Sequence, residues 1–264
     1  ETTLTDNADA LLLAGDVCDV SRAGPPAIVF LIEQFSRLAD RGIPVYWAGG
    51  AVDAPDTWPP SATLPDNVHV FPVGPVEDYE LRRQGKTIAR VQGTSCRESA
   101  QVPAAGFHRD AHGLFTVGVA YGTSDSPGKE GDRVNYMALG GRHQRATVDR
   151  EPGIAHFCGT AQGRGPREVG PHGCTLVHVD ETGRIKTQFV ATDSVRWVEE
   201  TVEITATTRS EQLQKRLEER IEKLLAKHRG VDLVIHWLVR GAGPLVHRLR
   251  RGGLGDELLT DLRR

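Results

Sequence analysis

Residues 8–19 have the sequence ADALLLAGDVCD, in which an apolar run ends at a Gly-Asp pair. The run from Ala10 to Ala14 has the length of a buried strand, and the glycine that follows allows the chain to turn sharply. Asp16 then comes at the carboxyl end of the strand, the edge at which open α/β sheets hold their ligands. The pattern predicts either a carboxylate that binds a metal or a residue that caps the next turn.

A helix and a second strand are predicted next along the chain. Apolar residues recur at helical spacing between Ala27 and Leu38, and a glycine ends this segment. Residues 43–48, IPVYWA, then predict a second buried strand, which is closed by Gly49 and Gly50. This order of strand, GDxxD, helix, strand and GG resembles that of the calcineurin-like metallophosphoesterases, and of their SbcD-type DNA-repair exonucleases in particular.

Two later segments strengthen the resemblance. Residues 114–122, LFTVGVAYG, predict a buried strand; the family's matching strand ends in a metal-binding histidine, where this chain has Tyr121. Residues 135–145, NYMALGGRHQR, resemble the family's Asp-Tyr-x-Ala-Leu-Gly-His-x-His. Gly141 stands in place of the first histidine of that motif, and His143 matches the second.

The resemblance implies a hydrolytic centre with two divalent metals, usually manganese, about 3.5–4 Å apart. Asp16 matches the carboxylate that bridges the metals, and His143 matches one imidazole ligand of the first metal. The remaining positions, at which the family has second-metal ligands and a leaving-group histidine, hold other residue types: Gly50, Tyr121, Gly141, and Ala51 or Val52. Glycine offers no side-chain ligand and a neutral tyrosine is a poor one, so a second metal is not expected.

The replaced positions also predict the shape of the site. We expect a cleft with Asp16 and His143 on opposite sides, and a hollow beside Gly50, Ala51 and Gly141 with the Tyr121 ring at one side. Two interpretations of Asp16 and His143 are compatible with the sequence. They are either hydrogen-bonded remnants of the centre or ligands of one Mn²⁺ or other divalent ion.

Two hypotheses of function follow from these alternatives. The first is a DNA-repair-exonuclease-like protein with a degraded metal site, acting as a non-catalytic nucleic-acid-binding or assembly subunit. The resemblance implies DNA and an SbcC-type ATPase as its partners. The alternative is an active metal-dependent phosphodiesterase or nuclease with an altered, single-metal site.

Two further patterns could carry chemistry. His156-x-Cys158 and His172-x-Cys174 have zinc-type ligands at strand spacing, although cysteine is also a common small core residue. Arginines near the motifs are candidates for contact with nucleic-acid phosphates, or else belong to an ordinary solvated surface: Arg142, Arg164 and Arg167.

Composition limits the number of domains, the kinds of partner and the cellular compartment that we expect. The chain has 264 residues, of which 39% are hydrophobic and 25% charged, which suits one large globular domain with a small one. Its net charge of −3 gives no general attraction to nucleic acid, so DNA binding needs a local patch. No apolar run approaches the roughly 20 residues that span a bilayer. Because no segment could span a bilayer, we expect no membrane partner. The four cysteines form no CxxC pair, and we expect a reducing, cytoplasmic compartment.

The predicted fold class is α/β, a metallophosphoesterase-type layered sandwich of two sheets flanked by helices, with a small α/β capping domain. Residues 1–197 are predicted as the metallophosphoesterase-like domain, whose first strand, with an Asp-x-His metal motif, is expected upstream of Glu1. The sequence changes character near Val198. Residues 198–264 predict a strand, an amphipathic helix after Ser210, a second strand and a short basic helix, which together resemble a truncated capping domain.

Overall fold

A computed structural model describes residues 1–98, 102, 106–122, 133–149 and 153–263. The chain divides into two compact units. The first comprises Glu1–Thr160 and Cys174–Val190, and the second comprises Ala161–Gly173 and Ala191–Arg264. The domain boundary at residue 197 stays a prediction.

Most of the residues in regular secondary structure lie in strands. Up to residue 191 the elements are α1 (Thr2–Thr5), β1 (Leu11–Ala14), α2 (Val20–Ala39), β2 (Val45–Ala48), a 3-10 helix (Pro55–Thr57), β3 (Val68–Val70), β4 (Glu77–Arg83), β5 (Lys86–Thr94), β6 (Phe115–Tyr121), β7 (Tyr136–Gly140), β8 (Ala146–Asp149), β9 (Ile154–Phe157), β10 (Gly173–Val179) and β11 (Ile185–Ala191). After that residue they are β12 (Val195–Ile204), α3 (Ser210–Lys227), β13 (Asp232–Gly241), α4 (Pro244–Arg250) and α5 (Leu254–Leu262).

The first unit contains two larger sheets and most of a two-stranded sheet of β10 and β11. Strands β1, β2 and β3 make a parallel three-stranded sheet, and a six-stranded sheet has the order β4-β5-β6-β7-β9-β8. In the larger sheet β5, β6, β7 and β9 are parallel, and the edge strands β4 and β8 are antiparallel to their neighbours. Strand β1 contacts β6 and β7, and β2 contacts β5 and β6. This mixed α/β architecture, with sheets flanked by helices, confirms the predicted fold class.

Strand β2 shows why its sequence is apolar at every position. Tyr46 and Ala48 face the six-stranded sheet and belong to the core between the two sheets. Val45 and Trp47 face the other way, into a core that also contains Phe35 of α2. A parallel strand buried on both faces has no polar side, so a continuous apolar run is what the fold requires.

The second unit has its own core. Strands β12 and β13 are parallel, and residues from them pack with α3, α4 and α5. Leu213, Leu217 and Leu224 of α3 are buried, as the apolar stripe predicts. The buried face does not include the next residue, Leu225, whose side chain is 54% exposed.

Polar elements account for most of the differences from the sequence predictions. Strand β4 was not predicted because only Leu81 in it is buried, and charged residues occupy most of its exposed edge. Helix α2 begins at Val20 instead of Ala27; its polar first turn is separated from the rest by Gly24, at φ 69°. Strand β12 (Val195–Ile204) crosses the change of sequence character near Val198 without a break.

The burial of His69 on β3 predicts that acid destabilises the first unit. Its ring lies 5.3 Å from that of Tyr46 and 4.8 Å from that of Tyr79, measured between centroids, and burial lowers the pKa of this histidine. The unfolded chain therefore binds the proton more readily, and stability falls as pH drops below the ordinary value of about 6.5. We expect His69→Phe, which keeps an aromatic ring, to lose less thermal stability than the wild type between about pH 7.5 and 5.5. Equal losses would contradict this assignment.

Candidate functional site

The corner after β1 has an unusual backbone. Gly15 has φ 80° and Asp16 has φ 55°, so two successive residues adopt the left-handed conformation. Glycine does this without penalty, and aspartate is among the few other residues that tolerate it. The turn directs the N–H groups of Asp16 and Val17 to the carboxylate of Asp53, which they reach at 2.9 Å (Oδ1) and 2.8 Å (Oδ2).

Asp53 ties two corners together. It is 3% exposed, and its carboxylate also accepts the Gly50 N–H at 2.5 Å and the Trp47 indole N–H at 3.2 Å. Four donors from the chain after β1 and from the end of β2 thus converge on one side chain. Asp53 was not among the site residues selected from the sequence. An aspartate three residues after a Gly-Gly pair, at a spacing that lets its side chain bond to nearby backbone N–H groups, is the signal that could have found it.

The Asp16 carboxylate is itself hydrogen-bonded. Oδ1 accepts the Val52 N–H at 3.1 Å, and Oδ2 accepts the Tyr121 hydroxyl at 2.7 Å. Tyr121 is 7% exposed, and its pKa is raised well above the usual tyrosine value, first by burial and then by the hydrogen bond to Asp16. The phenol is therefore a neutral donor at physiological pH. This bond joins the end of β6 to the corner after β1.

The space beside Gly50 is filled. A Cβ on Gly50 would lie 2.6 Å from Asp16 Oδ1 and 2.8 Å from the Tyr121 ring, and one on Gly15 would lie 2.5 Å from the same ring. The predicted hollow is therefore wrong on this side, because the Tyr121 ring lies directly against both glycines. Ala51 is exposed, and Gly141 has φ 96° beside the backbone of Gly122.

His143 lies on the exposed loop after β7. Its carbonyl oxygen accepts the Thr160 N–H at 3.0 Å. At the end of β7, the Gly140 backbone packs so tightly against the Ala14 carbonyl that a Cβ there would be 1.5 Å from the oxygen. Strands β1 and β7 thus bring their carboxyl ends together. An arrangement of Asp16 and His143 across a cleft stays a prediction.

The residues present do not fit a two-metal centre. Both Asp16 oxygens have hydrogen-bond partners, and glycines stand at two of the positions that would need ligands. Across residues 1–98, 102, 106–122, 133–149 and 153–263, no three histidine, cysteine, aspartate or glutamate side chains group closely enough to hold a metal ion.

The zinc interpretation of the His-x-Cys pairs is wrong. His156 is 2% exposed, and its two ring nitrogens lie 2.9 Å from the hydroxyls of Thr147 and Thr175. Both nitrogens are thus engaged in hydrogen bonds. Burial raises the pKa of the Cys158 thiol, which disfavours the thiolate that a zinc site needs. His156 is therefore a hydrogen-bonded core residue of β9, and Cys158, directly after that strand, is partly buried.

The candidate phosphate contacts differ in their surroundings. In the first unit, the Arg142 guanidinium stacks on the Phe157 ring, 4.5 Å from its centroid. In the second unit, the Arg164 backbone N–H donates to Glu168 Oε2 at 2.7 Å, and the Arg164 guanidinium lies 4.0 Å from Oε1. Arg167 is exposed. Each of the two units therefore carries at least one of these cations.

The architecture is of the metallophosphoesterase type, with α/β sheets whose carboxyl ends and Gly-Asp corner build the site. The chain is 29% identical over 277 residues to the uncharacterised metallophosphoesterase YhaO of Bacillus subtilis, and the alignment covers 99% of this chain and 67% of that protein. This similarity supports the calcineurin-like superfamily, and the name of the relative ascribes metal use to that protein. Comparison with protein-family profiles finds no match. In the part of the chain that the structure describes, no helix combines the length and hydrophobicity needed to cross a membrane.

Proposed function

We propose that this chain is a calcineurin-like metallophosphoesterase-fold protein of the SbcD-type DNA-repair exonuclease kind, with a degraded two-metal site. It acts as a non-catalytic nucleic-acid-binding or assembly subunit. The proposal depends most on the hydrogen bonds of the Asp16 carboxylate, which matches the family's metal-bridging ligand. Its two oxygens are bonded to the Val52 N–H and to the Tyr121 hydroxyl.

The chemistry of phosphodiester cleavage explains why this observation matters. The reaction needs positive charge on the phosphate oxygens and on the leaving oxygen, which two metal ions supply in a two-metal site. Around Asp16, the matching positions offer a neutral phenol and glycines in place of charged or metal-binding groups. Such a site can retain the fold of the family without stabilising the transition state.

DNA and an SbcC-type ATPase are the proposed partners, and the proposed setting is the cytoplasm. The net charge of −3 favours local contact through arginines over a general attraction. Arg142, Arg164 and Arg167 are the proposed contacts. Because they would meet phosphate groups, binding should be independent of DNA sequence.

Hydrolysis tests the absence of catalysis. With excess Mn²⁺, we expect the full-length protein to degrade neither DNA nor bis-p-nitrophenyl phosphate faster than an Asp16→Asn control. The reason is that no pair of ions would neutralise the phosphate and the leaving oxygen. Turnover that disappears in the Asp16→Asn protein would instead establish the alternative, a metal-dependent phosphodiesterase with an altered site.

Salt dependence tests the DNA contacts. Each phosphate contact contributes about 0.9 to the slope of log affinity against log salt concentration on duplex DNA. We expect Arg164→Ala with Arg167→Ala to weaken binding and to reduce that slope by roughly 2. Arg22→Ala is the control, since it removes an exposed cation outside the proposed set; its side chain is 86% exposed, against 66% for Arg164. An unchanged slope in the double variant, or a strong preference for one DNA sequence, would contradict the assignment.

A further inference from the structure

We propose that the Tyr121 hydroxyl takes the place of a metal ion at the Asp16 carboxylate, so that this corner of the fold is closed without a cation. The inference rests on the proposed function, because it says how the chain holds the site together when the two-metal centre is lost. It assigns Tyr121 a positioning role, and it makes the stability of the corner independent of metal.

The proposal rests on the hydrogen bonds that the carboxylates of Asp16 and Asp53 accept. Asp16 accepts one donor on each oxygen, from Val52 and Tyr121, and Asp53 accepts two donors on each oxygen. The six donors are neutral N–H and O–H groups. Two acidic side chains in one corner would normally repel each other or recruit a cation. In this corner, oriented dipoles supply the positive partners that a cation would supply elsewhere.

The Tyr121 ring also fills the space that a metal-binding side chain at position 50 would need. The ring lies against Gly15 and Gly50 so closely that a Cβ on either glycine would come within 2.8 Å of it. A larger residue at position 50 therefore requires Tyr121 to move. This predicts that restoring a ligand by Gly50→Asn alone does not create a metal site, because the asparagine side chain and the Tyr121 ring would compete for the same space beside Asp16.

Thermal unfolding of the full chain tests the inference. We expect the wild-type Tm to be the same in EDTA and in millimolar Mn²⁺. Tyr121→Phe should lower Tm by about 2–4 °C, because one hydrogen bond to a carboxylate is lost while water can still reach the exposed Asp16. Tyr46→Phe is the matched control. It removes another buried tyrosine hydroxyl, which donates to the Glu80 carbonyl at 3.3 Å and has no bond to Asp16.

A double-mutant cycle separates the bond from a general packing effect. Combined with Asp16→Asn, Tyr121→Phe should cost less than the sum of the two single changes, whereas Tyr46→Phe with Asp16→Asn should be additive. Additivity at Tyr121 would overturn the inference, and so would a wild-type Tm that rises with Mn²⁺ and falls with EDTA. The proposed function fails separately, through Asp16-dependent turnover in the hydrolysis assay.

Discussion

Asp53→Ala is expected to lower the free energy of unfolding by about 4 kcal/mol, a large fraction of the stability of an ordinary domain. Three backbone N–H groups and the Trp47 indole N–H lose their acceptor together. Alanine offers no replacement, and the site is only 3% exposed, so water cannot easily enter. The left-handed turn at Gly15 and Asp16 also loses the carboxylate that holds it. Urea unfolding followed by tryptophan fluorescence measures the change.

Asp56→Ala is the control for this prediction. Asp56 lies three residues further along the same loop and pairs with Arg97 at 3.0 Å, with both side chains more than half exposed. Exposed ion pairs contribute little, so we expect a loss below about 1 kcal/mol. Similar losses for the two variants would mean that Asp53 is not the clamp between the two corners.

Gly140→Ala has the other large expected effect. The added Cβ would lie 1.5 Å from the Ala14 carbonyl oxygen, a backbone atom that cannot rotate away. The ends of β1 and β7 must then separate, which we expect to cost more than about 3 kcal/mol or to prevent folding. Soluble yield and urea unfolding of the purified protein measure the result.

Two other glycines calibrate this steric argument. Gly118→Ala places a Cβ 2.6 Å from the Met137 sulfur, the flexible part of a side chain that can move. Gly255→Ala in α5 meets nothing within 4 Å and should be neutral or stabilising. We expect the order of destabilisation Gly140, Gly118, Gly255. A greater loss at Gly118 than at Gly140 would contradict the close approach of the two strands.

Apolar runs made much of the fold predictable. Strand β2 is buried at every position, β6 is mostly buried and β1 is partly buried, so their sequences are largely apolar, and α3 shows its buried face as leucines at helical spacing. Strand β4 could not be predicted in this way. It lies at the edge of the sheet, and Leu81 is its one buried residue. Its sequence, EDYELRR, is therefore mostly charged, as suits a solvent-exposed edge strand.

Individual residues of the site could be predicted from the sequence, but the hydrogen bonds that connect them could not. Asp16 and Tyr121 were both identified from motif positions, but the hydrogen bond between them joins residues 105 positions apart. Such a bond depends on how two sheets pack, and no local pattern encodes that. Asp53 was missed for a related reason, since its importance comes from four donors that converge only after β1 and β2 pair.

The most direct test of the central claim is electron paramagnetic resonance of the full-length protein equilibrated with excess Mn²⁺. Two Mn²⁺ ions about 3.5–4 Å apart, as in a two-metal hydrolytic centre, are spin-coupled and give a spectrum distinct from that of isolated ions. We predict only the signal of isolated Mn²⁺, unchanged in the Asp16→Asn control. A coupled spectrum that Asp16→Asn abolishes would contradict the account, because it would place a two-metal centre where the Tyr121 hydroxyl binds Asp16.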